Sequence, residues 1–407
     1  MADHTHIEWT DATWNPITGC SIVSPGCTHC YAMRDAGGGR VKNHPSRKGL
    51  TKQVNGKHVW TGEVRFNAQW LDQPLRWSRP RMIFVCAHGD LFAEGVPDEW
   101  IDQVFAVMAL RPQHTFQVLT KRPERMRQYL TAADRQHSIA AAGFTIRLSP
   151  SIDFLMQKPW PLPNVWLGVS VEDQRRADER IPILLDTPAA IRWISAEPLL
   201  GPVDISRWTA TAHVTCRKCR NAFWLHSADP CRHKDGGDGW TLACPHCGGC
   251  RCKPAWTEMD ARSGTIMEPP QDWVDRKIGR FTKVHPTIQV KSALDWVVAG
   301  GESGPGARPM HPDWARGLRD QCAAAGVHFL FKQWGEYAPR RAAEPADQVD
   351  ARKALIVRPD GGITSGLLPY GPDAWIMDKL GKRLAGRLLN GVEHNAFPTS
   401  PQREDVN

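Results

Sequence analysis

Long apolar runs are missing from this chain. Nowhere in its 407 residues does a hydrophobic stretch approach the length that crosses a bilayer, which argues against a membrane span. The amino-terminal MADHTHIEW has no apolar signal-peptide core, so the expected compartment is the cytoplasm. Evenly spread cysteine is missing too. Ten of the twelve cysteines fall in two tight clusters, which reads as metal binding in a reducing compartment rather than a disulfide framework. Strong net charge is also lacking: +8 is compatible with a polyanionic partner without requiring one. With 41% hydrophobic and 23% charged residues the chain reads as a soluble globular protein, long enough for one large domain plus an insertion.

The first cluster lies in Gly19 to Ala32, GCSIVSPGCTHCYA, where Cys20, Cys27 and Cys30 have C-x6-C-x2-C spacing. Thiolates are soft ligands for iron–sulfur clusters, zinc or Cu(I). Three of them in a Gly/Pro-rich loop can hold a cluster and leave one iron position open. A structural zinc would take a fourth protein ligand, and His29, His4 and His6 are nearby candidates. The second cluster pairs Cys216-x2-Cys219 with Cys244-x2-Cys247, the knuckle spacing of a four-Cys zinc ribbon. Structural zinc is expected there, with a second iron–sulfur cluster as the alternative. Cys231, Cys250 and Cys252 remain unassigned.

Between the clusters, strand-like and helix-like segments alternate. Strands are expected at Met82–Cys86, His114–Leu119, Asn164–Val171, Ile191–Ala196, Leu294–Ala299 and Val327–Phe331, plus one near the cysteine loop. Helices are expected over Pro97–Leu110 and Lys121–Leu130, and from Asp173 and Pro312 onward. The Ala-rich stretch before Pro163 reads as irregular. This order predicts an α/β fold, a partial or closed parallel (β/α) barrel with an inserted Cys-rich module. The expected division is 1–204 for the first part of the barrel, 205–290 for the insertion, 291–340 for the last strands and 341–407 for a C-terminal extension.

Each expected strand ends in polar or glycine-rich residues: Cys86–Asp90, Thr120–Arg122, Ser170–Glu172, Ser195–Glu197, Gly300–Glu302 and Lys332–Trp334. In parallel α/β folds the carboxyl ends of the strands form the site. A helix cap explains any one of these ends singly. Residues 36–60 contain Arg40, Lys42, Arg47, Lys48, Lys52 and Lys57 and no acid, so this stretch is either a solvated loop or a phosphate-tracking one.

The three-Cys loop followed by a barrel pattern, with GGE at a strand end, resembles the radical S-adenosylmethionine (SAM) superfamily. More closely, the chain is similar to a phage- and bacteria-borne family of unassigned function. The carrying motifs are Ile7–Cys20, Asp90–Phe92, Leu119–Met126, Gly168–Ile181, Ser195–Asp204, Ala299–Met310, Phe331–Tyr337 and Gly381–Pro398. The superfamily resemblance implies a 4Fe–4S cluster on Cys20, Cys27 and Cys30, with SAM on the open iron. It further implies one-electron cleavage of SAM, hydrogen abstraction from a substrate, and an electron donor such as flavodoxin or ferredoxin. Ser170, Glu172, Glu197, Gly300, Gly301 and Glu302 are the implied SAM contacts. The chain departs from the usual C-x3-C-x2-C spacing, has His29 where an aromatic is usual, and carries its GGE after a late strand.

A second resemblance is to spore photoproduct lyase, a radical SAM enzyme that repairs a thymine lesion in DNA. It implies that Cys86 is a hydrogen-atom donor; a buried core cysteine is the plainer reading. Together with Lys121, Arg122 and Arg125, it makes DNA or a nucleotide the expected substrate. A small molecule or peptide substrate, or a non-catalytic iron–sulfur or zinc protein that binds nucleic acid, are the alternatives.

Overall fold

In the computed structural model the described residues are 5, 7–39, 41–209, 294–340, 354–365 and 373–399, with the backbone of 211–215, 222–226, 231–232, 240–241 and 290–291. Seven parallel strands form the central sheet: β1 (Ala12–Trp14), β2 (Met82–Val85), β3 (Thr115–Thr120), β4 (Val165–Ser170), β5 (Ile191–Ala196), β6 (Trp296–Gly300) and β7 (His328–Gln333). They lie side by side in sequence order, the order of a (β/α) barrel. No pairing joins β1 to β7 among the described residues, so the barrel is partial.

Helices cross between the strands. These are α1 (Tyr31–Gly37) after the cysteine loop, α2 (Asp98–Leu110), α3 (Pro123–Thr131), α4 (Arg135–Thr145), α5 (Gln174–Leu185) and α6 (Pro312–Ala325). The α4 helix and the short helix Ile152–Met156 occupy the stretch expected to be irregular. The reason is local: alanine is the best helix former, and Ala140 is fully buried beside Gly143, which lies against Leu155 and Ala106. Among the described residues no helix is long and apolar enough to cross a membrane.

Side chains alternate across each strand, and both faces are apolar. One face presents Ile83, Val85, Phe116, Val118, Leu167, Val169, Ile194, Val297 and Phe331 to the main core. The other presents Phe84, Trp166, Trp193, Trp296, Val298 and Leu330, with Trp9 packed among them. The Trp9 ring lies 4.7 Å from Phe84 and 5.3 Å from Trp193, edge on, and Trp193 is 5.2 Å from Trp296. Such pairs contribute about 0.5–1.5 kcal/mol each beyond their area. Gly168 makes this packing possible, because Trp193 on the neighbouring strand lies across it and a Cβ there would run into the indole.

The free edge of β7 is not bare. Phe331 N–H donates to His394 O at 3.0 Å, Ala396 N–H donates to Phe329 O at 3.2 Å, and Leu330 bridges Asn395. Trp296 Nε1 donates to Ala396 O at 2.9 Å, and Phe397 packs against its ring at 5.2 Å, tilted by 36°. A sheet of four short antiparallel strands (Tyr337–Pro339, Leu355–Val357, Ile363–Ser365 and Trp375–Lys379) precedes this segment.

The packing predicts a coupled pair of mutants. Gly168→Ala should lower stability by roughly 1–3 kcal/mol through overpacking, and Trp193→Ala by roughly 3–5 kcal/mol through the cavity it leaves. The double mutant should lose less than the sum, since the added methyl then fills vacated space. Urea denaturation of the four proteins measures this; strict additivity would show that the two residues do not meet.

Candidate functional site

The cysteine loop leaves β1, makes a one-turn helix at Pro25–Cys27 and enters α1, with Cys30 as the residue that caps it. Cys27 N–H donates to Ser24 O at 2.9 Å and Cys30 N–H to Cys27 O at 3.3 Å, so the loop is wound tightly enough to gather its thiols. Cys20, Cys27 and Cys30 all line one cavity of about 520 Å³ at the carboxyl ends of the strands. That volume is of the size that holds a cofactor or substrate. None of the three is in a disulfide.

Burial is the first cause that pushes the Cys20 thiol up to about 12. Asp90, Cys27 and Cys30 add to the rise and Arg122 opposes it. Cys30 is raised by burial and by Cys27, against the amides of Met33 and Ala32 and the Lys121 ammonium. Those two amides, in the first turn of α1, favour a Cys30 thiolate. Among the described residues no three His, Cys, Asp or Glu side chains gather closely enough to share a single metal ion.

Three buried charged groups fasten this loop. Glu172, at the end of β4, is 0% exposed. It accepts from Ser24 Oγ at 2.6 Å and pairs with Lys121 Nζ at 2.9 Å and Arg180 Nη1 at 3.0 Å. Gly26 lies directly on this carboxylate, with no room for a Cβ. Glu302, at the end of β6, is gripped at both oxygens by Arg308 (2.6 and 2.8 Å) and faces His29 Nδ1 at 3.1 Å, while Arg308 Nη2 also donates to Pro25 O at 3.0 Å. Arg122, at the end of β3, donates to Ser21 O at 3.2 Å and lies 3.6 Å from Cys20 Sγ.

Of the residues singled out in the sequence, Cys20, Cys27, Cys30, Cys86, Ser170, Glu197, Gly301 and Glu302 line the cavity. Glu172 and Gly300 do not: Glu172 is enclosed by its partners, and Gly300 O accepts from Leu199 N–H at 3.0 Å. Glu197 pairs with Lys332 Nζ at 3.2 Å and sits 3.5 Å from Ser195 Oγ, forming a charged patch on the wall. Trp9 and Phe84 also line the cavity, which therefore abuts the tryptophan layer.

Cys86 follows the last residue of β2 with φ +58, a left-handed backbone that a non-glycine residue holds only when its surroundings impose it. Its N–H donates to Trp14 O at 2.7 Å, and burial pushes its thiol up to about 12. Cys216, Cys219, Cys244, Cys247, Cys250 and Cys252 lie outside the described residues, as do His4, His6 and Arg40; for Cys231 only the backbone is described.

The basic residues divide differently from the sequence expectation. Lys121 and Arg122 are spent on Glu172, Asp90 and Glu94, and Arg125 pairs with Asp98, so this trio is not a free phosphate-binding patch. Residues 51–60 form a hairpin, Thr51–Val54 with Lys57–Trp60, rather than a loop. Lys42, Lys48, Lys52 and Lys57 are exposed there, whereas Arg47 is buried at 5% exposure. Arg122, Arg308 and Ser24 were not foreseen as supports of the cysteine loop. The one signal for Arg308 was its place in the motif that begins with GGE.

Burial raises the Glu172 carboxyl, but Lys121, Arg180 and Ser24 outweigh it and hold it below its ordinary 4.5. A carboxyl depressed on folding contributes stability above its unfolded pKa and loses it as pH falls through the folded value. Glu172→Gln should therefore be destabilised by about 3–5 kcal/mol at pH 7, where Arg180 is left buried without its partner. The gap to the unmodified protein should narrow as pH drops below about 4.5. Urea midpoints of both proteins across that range test this; a gap that stays constant would assign the loss to shape rather than charge.

No curated protein and no solved structure matches this chain. One family does, over residues 4–398, which is nearly the whole sequence. The chain thus belongs to the family described as a protein of unknown function (DUF5131).

Proposed function

We propose that this protein is a radical SAM enzyme whose 4Fe–4S cluster is held by Cys20, Cys27 and Cys30. The observation that carries this reading is the convergence of three unpaired thiols on one strand-end cavity with a polar wall. The donor set fits the group: all three are soft thiols that line one cavity, and Arg122 and Lys121 oppose the rise that burial imposes on Cys20 and Cys30. When bound, a reduced cluster supplies one electron to the sulfonium of SAM and so starts hydrogen abstraction from a substrate.

The residues would divide the work as follows. Glu197 and Lys332 offer opposite charges 3.2 Å apart, which suits the ammonium and carboxylate of the SAM amino-acid end. The hydroxyls of Ser170 and Ser195 suit its ribose. The oxygens of Glu172 and Glu302 are already taken by internal partners, so both are assigned to the loop rather than to SAM. Trp9 and Phe84 keep water from one side of the cavity. Cys86, on the same cavity, keeps its proposed role as hydrogen-atom donor. An electron donor such as flavodoxin or ferredoxin is required by the chemistry, and zinc on Cys216, Cys219, Cys244 and Cys247 is proposed from their spacing.

The substrate we propose is a base in a nucleic acid. Support comes from Lys42, Lys48, Lys52 and Lys57, exposed on and before the hairpin whose Trp60 lines the cavity. Contacts of this kind to phosphates make binding fall with salt.

Two measurements test the reading. After anaerobic reconstitution with iron and sulfide, the protein should hold about four irons at this site. Added SAM and dithionite should then yield 5′-deoxyadenosine, and Cys20→Ala should lose both signals with the barrel still folded. Zinc in place of iron, with no SAM cleavage, would sink the proposal and favour a zinc-bound interaction protein. Separately, single-stranded DNA should bind with a salt slope that drops by about 3 when the four lysines are changed together to Gln. Binding that is absent or indifferent to salt would point to a small-molecule or peptide substrate.

A further inference from the structure

Arg122 is more deeply committed than its place in a basic run suggests. It stands at the junction of β3 and α3 and is 6% exposed. Its Nε donates to Glu94 Oε1 at 2.9 Å. Its Nη1 donates to Asp90 Oδ2 at 3.0 Å and lies 3.6 Å from Cys20 Sγ, and its Nη2 donates to Ser21 O at 3.2 Å and Ser21 Oγ at 2.5 Å. Asp90 is itself 5% exposed. It is fixed by Thr120 Oγ1 at 2.8 Å, Phe92 N–H at 2.9 Å and Lys121 N–H at 3.2 Å. A buried cation and a buried anion, both rigidly held, therefore sit behind one of the three thiols. Among the described residues, Cys20 is the one member of the three with a guanidinium within hydrogen-bond range.

We infer that Arg122 is a positioning residue that donates an N–H to the Cys20 sulfur and, balanced by Asp90, sets the reduction potential of the iron–sulfur group. The inference rests on the cluster reading above. Its physics is simple. Reduction adds one negative charge near the sulfurs, so a fixed cation beside a ligand favours the reduced form and a fixed anion opposes it. At low local dielectric neither effect is screened away. The side chain's hold on Ser21 also fixes the path of the chain just after the ligand, which a lysine could not do through a single nitrogen.

The test is a redox titration of the full-length, reconstituted protein, followed by visible absorbance and electron paramagnetic resonance. Arg122→Gln should lower the potential, cutting the ratio of reduced to oxidised cluster at a fixed applied potential about tenfold, which is about 59 mV for a one-electron couple. Asp90→Asn should move it the opposite way. Glu94→Gln keeps an acceptor for Arg122 and Ser21 and removes a charge on a side chain that is 65% exposed, where solvent screens it, so it should leave the potential nearly unchanged. Opposite signs for Arg122→Gln and Asp90→Asn support the inference, because general loosening of the loop would move both alike. Shifts of the same sign, or none at normal iron content, overturn it. If Arg122→Gln does not retain iron, Asp90→Asn decides alone: an upward shift supports the inference and no shift overturns it. Unmodified protein that takes up no iron is a different failure, that of the cluster reading, and removes this inference with it.

Discussion

A short loop with three thiols cannot hold its own shape. Ten residues span Ser21 to Cys30, and Ile22 and Val23 within them are exposed, so apolar burial does little there. What fixes the loop is hydrogen bonding to ion-paired residues at the strand ends. Glu172 takes Ser24, Arg122 takes Ser21, and Glu302 with Arg308 takes His29 and Pro25. Buried ion pairs do not always raise stability above that of an apolar substitute, because each charge gives up hydration. Here their value lies in geometry. They orient a segment that must remain polar and open to a cavity.

The fold supplies the rigid frame for those pairs. Parallel strands buried on both faces leave only their ends for chemistry. The tryptophan layer fills the inner face below the cavity, while the carboxyl ends carry Asp90, Lys121, Arg122, Glu172, Glu197, Glu302 and Lys332. Each charge is thus mounted on an element that cannot shift without disturbing its neighbours in the sheet. The same arrangement explains how Cys86 is kept in a left-handed conformation: the turn is tied to β1 through Trp14 on one side and to Gly89 on the other.

Much of this was legible in the sequence, for reasons that can be named. Six strands stood out because strands buried on both faces are short apolar runs, and their bounds differ by a residue or two from the runs. The three-residue β1 offered too little pattern to be delimited. The α4 helix was hidden because its alanines carry almost no amphipathic contrast. The site was legible as a set of strand ends but not as a set of pairings. Sequence shows that Glu172 ends a strand; it does not show that Lys121 and Arg180 will meet there. For the same reason Arg122 looked like part of a basic surface, although its partners Cys20, Asp90 and Glu94 draw it inward.

The cover on β7 has a consequence for the order of assembly. Residues 394–397 complete the edge of the sheet and lay Phe397 on Trp296, which in turn touches Trp9 near the opposite end of the sequence. The layer beneath the cavity is therefore a closing contact between an early and a late segment of the chain. Contacts so distant along the chain are slow to form. During synthesis the cysteine loop emerges early, yet the layer beneath its cavity is finished only when residue 397 has left the ribosome. Any metal centre built there would have to be assembled on a frame that is still incomplete, or wait until the last strand edge is sealed.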